Sequence, residues 1–151
     1  MNLRETGFGG GLSDIRIKKR NVGATAHLGR NGHPRIETPT GGTLPVVTAA
    51  SDPGFNPLDL LFSSLAACLV LSARIAASRM GVLERFKAVE ASVTGEKSEG
   101  EPAHISRFDM KLKIEGDFDD EVRQAIAHEA ERICTVSNTL RGSSEFCLDI
   151  V

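Results

Sequence analysis

The chain has no tryptophan and no tyrosine, and seven phenylalanines supply its large aromatic side chains. Reading single-stranded nucleic acid by base stacking needs a series of such platforms, so that function is not expected. Charge of neither sign dominates, with 18 lysines and arginines against 20 aspartates and glutamates and a formal net charge of −2. That balance lacks the electrostatic footprint of a nucleic-acid or anionic-membrane partner, and neither is expected. The opening MNLRETGFGGGLSDIRIKKR mixes charges and glycines. It contains no apolar core of the roughly 7 to 15 residues that a secretory signal uses, so a cytoplasmic location is expected. The uncharged run over residues 60–73 falls short of the roughly 20 apolar residues that span a bilayer, and reads as a helix enclosed by protein.

Cysteine is scarce, at three residues. An odd number without an export signal fits free thiols in a reducing compartment, where a disulfide is transient and catalytic rather than structural. There is no CxxC or HxxxH pair, and no metal site is expected. The glycine run GFGGG lacks the lysine and the serine or threonine of a phosphate loop and reads as coil. No GxSxG nucleophile elbow occurs either. No cofactor is expected.

What is present suits one domain over residues 1–151. DIRIKK puts Ile15 and Ile17 on one face, and VGATAHL does the same with Val22, Ala24, Ala26 and Leu28, so both read as strands. The Asn31-Gly32 pair in GRNG marks a hairpin turn of the primed type, and TLPVVT adds another short strand. At Asn56 the period changes. Asn56 suits an N-cap, Pro57 the first helical position and Asp59 the third, where a carboxylate meets the positive end of the helix dipole. The helix runs to about Met80, apolar or small round nearly its whole circumference, which demands cover on every side. Two strands follow, RFKAVEASVTG and ISRFDMKLKIEG; in the second, Phe108, Met110, Leu112 and Ile114 alternate with polar neighbours. Asp117 opens a second helix whose stripe Val122, Ile126, Ala130, Ile133 ends at Cys134, and FCLDIV reads as a closing strand. The order gives an α+β class with helices against antiparallel sheet, and the all-round apolar helix predicts a homodimer.

At 100° per residue, Cys68 shares a helix face with Leu61, Leu65, Ser72 and Ile75, while Cys134 continues the inward stripe of Ile126 and Ala130. Inward cysteines are ordinary packing material, so position alone leaves their function open. The motif NPLDLLFSSLAACL, with ICTVSNTL placing its cysteine 66 positions after Cys68, resembles the OsmC/Ohr family of osmotically inducible and organic hydroperoxide resistance proteins. The likeness covers nearly the whole chain. It implies an OsmC-like fold, antiparallel sheets around a long buried central helix in an intertwined homodimer. It also implies a peroxidatic role for Cys68 and a resolving role for Cys134, with an organic hydroperoxide as substrate and a dithiol as reductant. The family takes its activating arginine from an N-terminal strand or turn, which points to Arg30, and an acid near the Asn-Pro pair, which points to Asp59. Peroxidase members carry glutamate directly after Asn-Pro, where this chain has Leu58; the offset of Asp59 matches OsmC-like branches outside that group. Thr135 stands where many relatives have proline.

The implied chemistry needs two thiols. A thiolate displaces the distal oxygen of a hydroperoxide and becomes a sulfenic acid, which a second thiol converts to a disulfide before over-oxidation. Burial raises a thiol's pKa, so Cys68 needs a cation or hydrogen-bond donors, and at about three turns into its helix it lies beyond the dipole. Cys147 decorates the last strand. A second class of function stays open: a dimeric stress protein of the same fold that senses redox state or binds small apolar ligands without turnover.

Overall fold

The computed structural model describes residues 21–49 and 51–151. The strand expected around Ile15 and Ile17 and the GFGGG coil lie outside the described residues. The chain divides between Pro45 and Val46 into two compact units. In the first, β1 (Thr25–His27), β2 (Arg35–Glu37) and β3 (Thr43–Pro45) form an antiparallel sheet in that order. The expected hairpin forms, with Ala26 opposite Ile36. Its loop, residues 28–34, is wider than a two-residue primed turn. Gly32 does take a positive φ of 94°, but Pro34 has no N–H to extend the ladder, so pairing begins at Arg35.

The second unit carries α1 (Pro57–Arg79), β4 (Phe86–Lys97), β5 (Ile105–Gly116), α2 (Asp120–Ile133) and α3 (Thr135–Arg141). α1 starts where its residues dictate. The Asn56 side chain accepts from the N–H groups of Leu58 and Asp59 at 2.8 and 2.9 Å, and the Asp59 carboxylate accepts from the Asn56 N–H at 3.0 Å, a complete capping box. One side of α1 packs on β4, β5, α2 and α3. Ala73, Ala76 and Ala77 have no exposed surface there, and their small size lets α2 approach with Ile126 and Ala130 in the same cluster.

The other side of α1 is open, with Leu71 and Ile75 at 53% and 46% exposure. Enclosure on every side is thus not achieved among the described residues of the second unit, because a two-stranded sheet and two helices reach only one face. By length and composition α1, at 23 residues with an 18-residue stretch of mean hydropathy 2.0, would suffice to cross a membrane; here one of its faces packs on β4, β5, α2 and α3.

β4 and β5 form a long antiparallel hairpin with Ala91 opposite Leu112 and Val93 opposite Met110, so the alternation read in ISRFDMKLKIEG lines the core. Its end is tight. A Cβ on Gly116 would stand 2.2 Å from the Phe118 ring and 2.6 Å from the Arg85 carbonyl oxygen. Gly116→Ala should therefore destabilise by about 2 kcal/mol through overpacking. Thermal unfolding should show this as a Tm lower by several degrees, and an unchanged Tm would mean that the ring swings clear at no cost.

The N-cap of α2 is Asp119, whose carboxylate accepts from the Val122 N–H at 2.9 Å, rather than Asp117. Asp117 pairs instead with Lys87 at 2.6 Å. The helix ends at Ile133, because Cys134 is extended at φ −68°, ψ 105°. The Asn138 side-chain amide then donates to the Arg132 carbonyl at 3.0 Å, and α3 follows at once, an element not expected from the sequence. The closing strand does not form either: Phe146, Leu148 and Ile150 are almost fully exposed, and no strand of the described residues pairs with them.

Candidate functional site

α1 and the break between α2 and α3 bring two cysteines to one place. Cys68 and Cys134 belong to a single apolar cluster with Leu65 and Leu69, walled by Ala91, Val93, Phe108, Met110, Leu112 and Val136. Cys68 is half-buried, whereas Cys134 has no exposed surface. The two thiols are close enough to influence each other's ionisation.

Their electrostatics diverge. Burial pushes the Cys68 thiol up, but hydrogen bonds from the Cys134 thiol, the Val136 N–H, the Ser72 hydroxyl and the Thr135 N–H outweigh it and hold Cys68 below an ordinary thiol. Burial pushes Cys134 up, and so does its hydrogen bond to Cys68. The reachable sulfur is thus the more readily ionised of the two, and the hidden one the less. That is the division of labour a nucleophile and a reserve thiol require.

The donors come from the α2–α3 break. Because α2 stops at Ile133, the first N–H groups of α3 have no carbonyl partners of their own and are free to face sulfur. Cys134 is the N-cap of α3, its Sγ accepting from the Ser137 N–H at 3.4 Å. A sequence signal existed for this. Thr135, Ser137 and Asn138 interrupt the apolar stripe of α2, and such residues favour caps over helix interiors.

Within the second unit the structure brings Cys68 and Cys134 together and leaves Asp59 apart. The Asp59 carboxylate is engaged in the capping box, at about 13 Å along the helix axis from Cys68 by helical rise. Arg30 lies in the first unit, exposed on the loop between β1 and β2. Cys147 sits on the exposed C-terminal segment, its sulfur 3.9 Å from a Glu145 carboxylate oxygen. Among the described residues, no group of three or more His, Cys, Asp or Glu side chains is placed to hold a metal ion.

Next to the cysteines lies a cavity of about 210 Å³ lined by Leu65, Phe108, Met110, Ser137, Leu140 and Arg141. Leu65 is one turn from Cys68 and the Ser137 amide rests on the Cys134 sulfur, so the cavity abuts the pair. Its single charged wall is Arg141, which pairs with Glu131, a feature that sequence reasoning missed.

A family model described as OsmC-like protein matches residues 50–148, the stretch that holds α1 and all three cysteines. The chain belongs to the OsmC-like family. Solved structures agree on the fold. This OsmC-like chain is similar to an OsmC-like protein from Mycoplasma pneumoniae at 19% identity and TM-score 0.69, covering 82% of this chain and 89% of that one. It is similar to an organic hydroperoxide resistance protein from Elizabethkingia anophelis at 22% identity and TM-score 0.64, over 83% and 92% of the two chains. The organic hydroperoxide resistance protein OhrB of Bacillus subtilis shares 23% identity at TM-score 0.57, over 82% and 92%. No curated protein matches the sequence significantly.

Proposed function

We propose that this OsmC-like protein is a thiol-dependent peroxidase that reduces organic hydroperoxides with two cysteines. One observation carries the reading: a half-buried Cys68 and a fully buried Cys134 share one apolar cluster, with the Cys68 thiol held below its ordinary pKa and the Cys134 thiol pushed above it. The Cys68 thiolate attacks the distal peroxide oxygen, the O–O bond breaks, and the alkoxide takes up a proton and leaves as alcohol. Cys68 is left as sulfenic acid. Attack by Cys134 forms the S–S bond with loss of water, and an external dithiol returns both thiols by exchange.

The apolar part of the cavity wall, Leu65, Phe108, Met110 and Leu140, supports an organic substrate, since each methylene leaving water contributes about 0.8 kcal/mol. The names of the Elizabethkingia and Bacillus relatives support the same class. In this reading Arg30 supplies a cation to the thiolate, while Asp59 serves mainly as the cap that fixes where α1 begins. The protein then acts in the cytoplasm, one domain per protomer, in defence against oxidative and osmotic stress.

Steady-state turnover with excess dithiol tests the proposal. Cumene hydroperoxide should be consumed faster than hydrogen peroxide; no consumption of either overturns it. A second reading has Leu58 in its favour, an exposed leucine where peroxidase members carry glutamate. It makes the protein a redox sensor or a binder of small apolar ligands, which would form the disulfide without turnover.

We also propose a homodimer. The open face of α1 and the alternating Phe146, Leu148 and Ile150 leave more apolar surface exposed than a soluble monomer usually carries. Sedimentation at micromolar concentration should give the dimer mass. A stable monomer would remove both the dimer and any role for Arg30 across its interface.

A further inference from the structure

The cavity beside the cysteines has a polar end that the thiol chemistry does not use. Ser137, Leu140 and Arg141 stand three and four residues apart on α3, so they share one face of it, and all three line the cavity. Ser137 is 4% exposed. Its backbone N–H goes to the Cys134 sulfur, but its hydroxyl has no hydrogen-bond partner among the described residues. Thr139, on the same helix, shows the ordinary alternative by turning its hydroxyl back to the Thr135 carbonyl at 2.8 Å. None of the buried or half-buried described residues has a side-chain oxygen or nitrogen that is both sealed off and unpartnered. The Ser137 hydroxyl therefore keeps contact with open space, and the open space at Ser137 is the cavity. Arg141 donates from Nη2 to Glu131, while its Nε and Nη1 have no partner among the described residues. Its side chain is 55% exposed, which puts it where the cavity meets solvent.

We propose that this cavity binds a small monocarboxylate with an apolar body, the acid held by Arg141 and the Ser137 hydroxyl, the body by Leu65, Phe108, Met110 and Leu140. Combined with the peroxidase reading, on which this step rests, the site narrows the substrate to organic hydroperoxides that carry a carboxylate. The donors fit that group. A carboxylate offers two acceptor oxygens in a plane, a guanidinium presents its N–H groups as a fork, and a hydroxyl supplies one more donor. Glu131 fixes the guanidinium through Nη2 and leaves the rest of the fork to a ligand. The protein's net charge of −2 gives an anion no general attraction, so selection is local. Size sets the class as well. An apolar cavity of about 150 Å³ holds benzene. The cavity here, at about 210 Å³, has room for a body of that size and an acid group. The acid end lies beside the cysteine pair, because the Ser137 amide rests on the Cys134 sulfur at 3.4 Å.

The test is an NMR titration of the reduced protein with benzoate, and with benzamide as a neutral ligand of the same shape. Benzoate should bind saturably and at least about tenfold more tightly than benzamide, as expected for hydrogen bonds to a charged group. Arg141→Gln and Ser137→Ala should each weaken benzoate by about tenfold. Both variants should fold, since Arg141 is more than half exposed at the end of α3 and Ser137→Ala keeps the backbone N–H on the Cys134 sulfur. Benzamide binding as tightly as benzoate, or benzoate binding undiminished in Arg141→Gln, overturns the site. In turnover with excess dithiol, a hydroperoxide acid should show a kcat/KM about tenfold above that of its methyl ester, and Arg141→Gln should remove the preference. Equal values for acid and ester overturn the substrate assignment. Benzoate binding consumes no peroxide. Binding in a protein without turnover would therefore uphold the site and reject the peroxidase, and turnover with neither benzoate binding nor an acid preference would do the reverse.

Discussion

Cys68→Ser should abolish hydroperoxide consumption, a loss on the order of 10³-fold or more of the kind seen when an enzyme's nucleophile is removed. A serine hydroxyl placed among the same donors stays protonated at neutral pH, because hydrogen bonds that bring a thiol below its ordinary range leave an alcohol far above it. The O–O bond then meets no nucleophile. Cys147→Ser should keep the full rate, since Cys147 lies on the exposed C-terminal segment outside the apolar cluster that holds the other two. Consumption of cumene hydroperoxide under excess dithiol reads both variants. If Cys147→Ser were the damaging change and Cys68→Ser the silent one, the nucleophile would be misassigned.

Cys134→Ser should change the fate of Cys68 rather than its first reaction. In the unaltered protein one equivalent of organic hydroperoxide should yield a Cys68–Cys134 disulfide, found by peptide mass with Cys147 still alkylatable. The bond requires α-carbons within or slightly beyond about 4.4 to 6.8 Å. The serine keeps a donor for the Cys68 sulfur, so the first equivalent should still react at near its normal rate. With no thiol to resolve it, the sulfenic acid should persist and advance to the irreversible sulfinic state under excess peroxide, ending turnover within a few cycles. Both cysteines still reduced after peroxide treatment would return the pair to simple packing.

Much of this was legible because the sequence marks it locally. Asn56, Pro57 and Asp59 announce the first turn of α1, and the capping box lies where they place it. The strict alternation from Phe108 to Ile114 set the face of β5, and the two cysteine motifs identified the pair. What escaped depends on contacts that no single segment contains. The second helix was read through to Cys134 because its apolar stripe continues there, yet the chain turns at that residue and restarts as α3. The strongest neighbours of the Cys68 sulfur include backbone N–H groups released by that turn, and backbone groups leave no trace in residue identity. The segment FCLDIV alternates like a strand but finds no ladder within its own chain, and alternation cannot say which chain supplies the partner.

The sulfur of Cys134 occupies two structures at once. It receives the Ser137 N–H as the first bond of α3, and it faces the sulfur with which it would form a covalent link. Oxidation would fix the direction of that side chain, and the start of α3 is anchored to the same atom. Ser137, Leu140 and Arg141, which wall the cavity, all hang from that start. In the peroxidase reading, closing the disulfide would therefore act on the same residue that starts the helix walling the chamber.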